Sequence, residues 1–236
     1  MPHLLMPRPV NDRFCPTVRL ALLLGALNFA PALLAADAPP KTKVVEGKQP
    51  AVATKAAEGG DEYPREILPN SAGGNLSLVE ARGRVATVLA CMSVECPISN
   101  EFAPTLNSLT EKYRGQGVNF IGVNPNASET LKEMADHARQ IHLTFPMLKD
   151  PDGKLSRRLS FQVTPEVCLF NAQGKLAYRG RIDDRYRSRA GGANDAATND
   201  LERALDEVIA GKAVSVPRTK PIGCPIQLTS RPAPKP

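Results

Sequence analysis

Arg84-Val-Ala-Thr-Val-Leu-Ala-Cys-Met-Ser-Val-Glu-Cys-Pro-Ile-Ser99 is the stretch that decides how this chain folds. Its first part, Arg84 to Ala90, is rich in Val and Leu, as a strand buried on both faces should be. Its last part places Pro97 after Cys96, and a proline at the first position of a helix costs nothing, because the N–H it lacks has no intrahelical partner there. A helix is therefore expected over Pro97 to Tyr113. Cys96 falls at the joint, where unsatisfied backbone N–H groups and roughly half a unit of positive charge favour the thiolate over the thiol. The thiolate is the nucleophile. The neighbouring Glu95 acts in the opposite sense, since an adjacent carboxylate raises a thiol's pKa.

Outward from that joint the chain alternates strand and helix. Val118–Asn124 reads as a second strand. Ser128 is positioned to cap a helix from Glu129 to about Ile141, with Leu131, Met134, Ala135 and Ala138 as its apolar stripe. Phe145–Leu148 reads as a short strand and Lys154–Leu159 as a short helix. Glu166–Phe170 and Lys175–Arg179 form a hairpin around Asn171-Ala-Gln-Gly174. A final helix, Asp200 to Ala210, carries Leu201, Ala204, Leu205, Val208 and Ile209 on one side and stops at Gly211. This alternation over one domain's length argues an α/β sandwich.

The ends have a different character. Arg8, Arg13 and Arg19 precede an apolar run, Leu20 to Ala35, that closes in small residues before Asp37, so residues 1–36 read as a secretory signal cleaved after Ala36. Asn28 and Pro31 interrupt a run already short for a membrane span, and a membrane association is expected only through an uncleaved signal. Cys15 lies upstream of the apolar core and is no lipoprotein cysteine. Residues 37–62, rich in Ala, Pro, Lys and Gly, read as a disordered linker. The domain is expected over 63–213, followed by a Pro-rich tail, 214–236, that contains Cys224. Removal of the signal takes away three Arg and one Asp and lowers the formal charge from +6 to +4. Charges of both signs are mixed along the rest, so nothing calls for a nucleic acid. Four cysteines remain, Cys91, Cys96, Cys168 and Cys224, an even set that permits disulfides in an exported protein without choosing among the pairings.

Cys96-Pro-Ile-Ser99 is a C-x-x-S redox turn, Pro104 lies eight residues after Cys96 inside the helix, and Thr164-Pro165 immediately precedes a strand. Together these resemble the thioredoxin fold, in which a proline kinks the active-site helix at that spacing and a cis-proline faces the leading cysteine. The resemblance narrows to redoxin-type extracytoplasmic domains of the thiol-specific antioxidant and alkyl hydroperoxide reductase family. It is carried by Leu78-Val-Glu-Ala-Arg-Gly83, Glu95-Cys-Pro-Ile-Ser-Asn100, Ile121-Gly-Val-Asn124, Phe145-Pro-Met-Leu-Lys-Asp150, Thr164-Pro-Glu-Val167, Tyr178-Arg-Gly-Arg-Ile-Asp-Asp184 and Gly223-Cys-Pro225, and spans about residues 63 to 228. It implies an α/β, thioredoxin-like fold with a central mixed sheet flanked by helices. It also implies thiol–disulfide exchange or thiol-dependent antioxidant activity in the periplasm or another extracytoplasmic space, without a cofactor. The partner would be a thiol or disulfide protein, a small thiol, or a peroxide. Cys96 would attack, while the backbone at Thr164 and Pro165 would pair with a bound partner's disulfide.

Three departures from the family pattern matter. Ser99 stands where a dithiol thioredoxin has its second cysteine, so a distant or external thiol must resolve Cys96. Cys224 is the leading candidate, with a structural staple for the tail as the alternative. Cys91 and Cys168 occupy strand positions where a bulky apolar side chain is expected; they read as small buried hydrophobes, with a mutual bridge as the alternative on strands that are antiparallel neighbours in this fold. Peroxiredoxins carry P-x-x-x-T/S-x-x-C, and here Ser93 is present but Leu89 replaces the proline. A peroxiredoxin-like thiol peroxidase is therefore the second enzymatic reading. From another class comes a non-catalytic binding module such as a copper metallochaperone. His137 and His142 suggest it, but five residues along a helix set two side chains on different faces, so no metal site is expected. Arg179, Arg181, Arg185, Arg187 and Arg189 form a basic run that reads as solvated surface, with Arg181 or Arg185 reaching Cys96 as the alternative.

Overall fold

The strand before Cys96 forms because its residues are apolar on both faces and have cover on both. In a computed structural model, which describes residues 60–187, 190–196 and 198–228, a short hairpin comes first, β1 (Ile67–Pro69) against β2 (Asn75–Ser77). The segment read as a signal, nearly all of that read as a linker, and Arg189 lie outside the described residues. Then follow β3 (Ala86–Cys91), α1 (Pro97–Arg114), β4 (Val118–Asn124), α2 (Leu131–Gln140), β5 (Met147–Lys149), α3 (Lys154–Arg158), β6 (Val163–Thr164), β7 (Glu166–Asn171), β8 (Leu176–Gly180), α4 (Asp200–Ile209) and β9 (Cys224–Pro225).

The main sheet runs β5-β4-β3-β7-β8. β3 pairs in parallel with β4 and antiparallel with β7, so the sheet is mixed, as expected. All six residues of β3 are buried. Side chains alternate across a strand. Ala86, Val88 and Ala90 accordingly join Phe102, Leu106, Tyr113, Leu201 and Leu205 in one core layer. Leu89 and Cys91 face the other way, into a layer with Tyr63, Leu78, Leu148, Leu155, Leu159, Cys168 and Phe170. Burial of each large side chain contributes about 1.5–3 kcal/mol, and the central position of β3 in both layers makes it the spine that aims Cys96.

The start of α2 differs from expectation for a local reason. The cap of α2 is Thr130, not Ser128. Thr130 accepts the N–H of Glu133 through its hydroxyl, and the Glu133 carboxylate accepts the Thr130 N–H at 2.8 Å, a reciprocal capping box. Glu129 is thereby left outside the helix and buried, and of the expected stripe only Met134 is fully buried, while Leu131 is exposed. Gly211, with φ at +69, ends α4 as expected: Lys212 N–H reaches the Glu207 carbonyl and Gly211 N–H the Val208 carbonyl, a Schellman closure.

After α4 the chain comes back along the sheet's open edge. Arg179 N–H donates to the Pro217 carbonyl at 2.9 Å, and Thr219 N–H to the Arg179 carbonyl at 3.0 Å. β9 then pairs antiparallel with β6, setting Cys224 opposite Thr164. The approach is so close that a Cβ on Gly223 would stand 2.3 Å from the Thr164 carbonyl oxygen. The Pro-rich tail is thus held against the strand that leads into Pro165.

Candidate active site

Cys96 is the N-cap of α1, with φ −83 and ψ 110. Pro97 cannot donate, and the Ser99 N–H, one of the orphan donors of the helix end, reaches Cys96 Sγ at 3.4 Å. The sulfur lies 2.9 Å from the Thr164 carbonyl oxygen, to which the thiol donates. The Thr164–Pro165 peptide is cis. Cys224 lies opposite Thr164 and packs against the core layer that holds Cys96, where its thiol lowers the Cys96 pKa. The hydroxyls of Ser99 and Thr164 are buried without a hydrogen-bond partner of good geometry among the described residues, and both lower the Cys96 thiol's pKa from beside it. The structure therefore brings together all five residues singled out in the sequence: Cys96, Ser99, Thr164, Pro165 and Cys224.

The electrostatics of Cys96 are a contest. Burial, the largest influence, pushes the thiol up; hydrogen bonds from Cys224, from Thr164 and from Ser99 pull it down, and they prevail. The net direction is downward, toward thiolate. Glu95 is exposed to solvent. Cys91 and Cys168 behave in the opposite way. Both are fully buried free thiols in the other core layer, with Cys91 opposite Glu166. Burial drives Cys91 well above the ordinary thiol value and Cys168 up to about 12. They are hydrophobes in function.

Neither Arg181 nor Arg185 reaches Cys96 as a free cation. Arg181 pairs with the buried Asp200 at 2.7 Å. Arg185 grips the buried Asp183 through Nε and Nη2, donates to Thr105 at 2.8 Å, and lies 4.5 Å from the centre of the Phe102 ring. Tyr186, next along, packs on Phe102 and donates its hydroxyl to Glu101. His137 is on α2 and His142 beyond its end in a left-handed turn, φ 50. Among the described residues, no group of three or more His, Cys, Asp or Glu side chains is placed to hold a metal, and no helix is long and apolar enough to cross a membrane.

One part of the site was not anticipated. Ser93, which with Cys96 is the part of the peroxidase pattern present here, gives its hydroxyl to Glu129. That carboxylate, only 3% exposed, also accepts from Val94 N–H and Glu95 N–H, the two backbone donors just before Cys96. Asn124 and Asn126 complete its shell. Burial raises the Glu129 carboxyl, and donation from Ser93, Asn126, Val94 and Asn124 more than offsets it, so the group is held below the ordinary carboxylate value. A sequence signal did exist, since Asn124, Asn126 and Glu129 crowd polar groups directly after a buried strand.

The profile of the AhpC/TSA family matches residues 60–179, half of the chain, including β3, Cys96 and the Thr164–Pro165 turn. The chain belongs to the AhpC/TSA family. Its relatives include a Mycobacterium tuberculosis protein named as a peroxiredoxin, 32% identical over 96 residues that make up 41% of this chain and 59% of that protein. Another is the thiol-disulfide oxidoreductase ResA of Halalkalibacterium halodurans, 26% identical over 51% of this chain and 66% of that one. The chain thus spans about six-tenths of the length of these curated relatives. Among solved structures, a hypothetical protein from Sinorhizobium meliloti is 27% identical with a TM-score of 0.67, covering 75% of this chain and 98% of that one. An uncharacterised protein from Geobacillus kaustophilus is 25% identical at the same TM-score, covering 74% and 93%. This AhpC/TSA chain has a thioredoxin-like fold.

Proposed function

We propose that this AhpC/TSA protein is a thiol–disulfide oxidoreductase with thiol-dependent antioxidant capacity, in which Cys96 is the nucleophile and Cys224 the resolving thiol. The observation that carries this reading is that Thr164 is shared by the two cysteines: its carbonyl lies 2.9 Å from Cys96 Sγ and Cys224 is its partner across the β6–β9 pair. The Cys96 thiolate attacks one sulfur of a substrate disulfide, forming a mixed disulfide and expelling the other half as a thiolate. Cys224, deprotonated, then attacks the Cys96 sulfur, releasing the second substrate thiolate and closing a Cys96–Cys224 disulfide. The substrate gains two electrons and the protein loses two. An external dithiol of the same chemical class restores the reduced pair, and the steps run backwards when the protein acts as oxidant. Ser99, Thr164 and Pro165 shape the pocket around the sulfur and take no part in bond making.

The charged and apolar segment at residues 8–35 supports an extracytoplasmic location, with thiol or disulfide partners found there. Peroxide reduction is the second reading, favoured by the relative named as a peroxiredoxin. Against it stand Leu89 in place of the peroxidase proline and the Ser93 hydroxyl committed to Glu129.

Mass mapping of the oxidised protein tests the assignment. A Cys96–Cys224 bond is expected; Cys224 free or bonded elsewhere removes it as the resolving thiol. Unchanged exchange activity in Cys96→Ser would remove the enzymatic reading. Oxidation by peroxide no faster than that of a free thiol would remove the peroxidase reading.

A further inference from the structure

Neither segment that carries the thiol pair is regular structure for long. Ser93-Val94-Glu95 is a loop between β3 and α1, and Cys224–Pro225 is a strand of two residues that continues to Gln227. Both hang from one buried polar cluster. Glu129 Oε1 accepts from Ser93 Oγ, from Glu95 N–H at 3.3 Å and from Asn126 Nδ2 at 3.0 Å. Glu129 Oε2 accepts from Val94 N–H at 2.8 Å and from Asn124 Nδ2. The other end of the Asn126 amide, Oδ1, accepts the Gln227 N–H at 2.9 Å, and Ala127 N–H donates to the Gln227 carbonyl at 3.0 Å. A continuous path therefore joins the backbone immediately before Cys96 to the backbone three residues after Cys224, through one carboxylate and one amide.

We propose that Glu129 and Asn126 are positioning residues that hold Cys224 against Cys96; this rests on the reading of Cys224 as the resolving thiol. The chemistry of the cluster calls for these two side chains. Both carboxylate oxygens of Glu129 face donors only, so an amide in its place would set a donor against a donor. A side-chain amide is the group that can donate to a carboxylate at one end and accept a backbone N–H at the other, and Asn126, 6% exposed, does both. Lys149, also buried, donates to the Asn124 side chain at 3.2 Å and to the Asn126 carbonyl, which places a cation beside the buried anion. Ring closure between two cysteines depends on their effective concentration, which such tethers raise without adding a contact to the sulfurs themselves.

The test measures the equilibrium constant of the Cys96–Cys224 disulfide against glutathione in the full chain, for the parent, Asn126→Ala and Glu129→Gln. Thermal unfolding checks that each variant is folded, and alkylation of Cys96 is followed in a Cys224→Ser background. Asn126→Ala is expected to lower the constant by about tenfold, the scale of one buried hydrogen bond and the order it imposes. It should leave the alkylation rate of Cys96 in the Cys224→Ser background unchanged, because Asn126 acts on the tail. Glu129→Gln should lower the constant at least as far. A parent protein that forms no Cys96–Cys224 bond would overturn the resolving assignment and this inference with it. A parent that forms the bond, with the constant in folded Asn126→Ala within about twofold of it, a change smaller than one hydrogen bond accounts for, would overturn the positioning role alone.

Discussion

Replacing Gly223 with alanine is expected to separate Cys224 from Cys96 while leaving the domain folded. The new Cβ would stand 2.3 Å from the Thr164 carbonyl oxygen, 2.7 Å from its carbon and 3.2 Å from the Pro165 nitrogen. All three are backbone atoms in the turn that forms the floor of the site, so the tail has to move. Restoring van der Waals contact takes a shift of roughly 1 Å. A misplacement of that size between reacting groups can cost on the order of 100-fold. The intramolecular Cys96–Cys224 disulfide should accordingly lose between about tenfold and 100-fold in its equilibrium constant against glutathione, with a fall of similar size in closure rate. Global stability should fall by little more than the roughly 1 kcal/mol of a hydrogen bond, because β9 is two residues long and its Cys224 packs on the margin of one core layer rather than within it. Gly211→Ala serves as the control: its Cβ meets nothing within 4 Å, but its φ of +69 is strained for alanine, so it should cost about 1 kcal/mol and leave the disulfide unaffected. The assay is acid-quenched mass spectrometry across a series of glutathione buffers. A Gly223→Ala protein whose disulfide constant matches the parent's would refute the reasoning.

Four further outcomes follow from particular contacts. The alkylation rate of Cys96 should titrate below the ordinary thiol value, and the midpoint should rise in Cys224→Ser, which loses the thiol that lowers the Cys96 pKa; a midpoint at or above that of a free thiol would contradict the site's electrostatics. Because the folded-state pKa is depressed, the stabilisation is fully present above the unfolded thiol value and is lost as pH falls through the folded one, so the reduced protein should gain stability over Cys96→Ser as pH rises across that interval. Leu89→Ala, at a fully buried position on β3, should cost about 2–5 kcal/mol in urea unfolding. Arg185→Ala should cost about 2 kcal/mol, since it removes the guanidinium from the Asp183 carboxylate, whose side chain is 2% exposed, and leaves it the backbone N–H of residue 185; unchanged stability would show that water or another cation takes its place.

Sequence and structure agree most closely where one residue type answers one local demand. Pro97 starts α1, Gly211 ends α4 through its positive φ, and the unbroken apolar run before Cys96 is the central strand. Agreement is poorer where neighbours compete. Ser128 and Thr130 are both acceptable caps, and the choice went to Thr130 because Glu133 completes its capping box while Glu129 is drawn into the cluster under Ser93 and Val94. β1, β2, β6 and β9 are two or three residues long, too short for an alternation of side chains to register. The Glu129 cluster was missed because it joins the loop before Cys96 to the end of β4 and the loop after it, more than 30 residues further along the chain.

By itself, the sequence determined that Cys96 sits at a strand-to-helix joint, that no second cysteine follows in its turn, and that any thiol resolving it would be distant in the chain or external. Those are local facts, set by residue type and spacing along a few turns of chain. Which thiol stands beside Cys96 was decided only by tertiary structure. The return of the tail along β8 to β6, the closeness that Gly223 permits at Thr164, and the tether through Asn126 and Glu129 join residues from 34 to 101 positions apart in sequence. Hydrogen bonds and steric contacts act over a few ångströms of space, and nothing in the spacing along the chain records them.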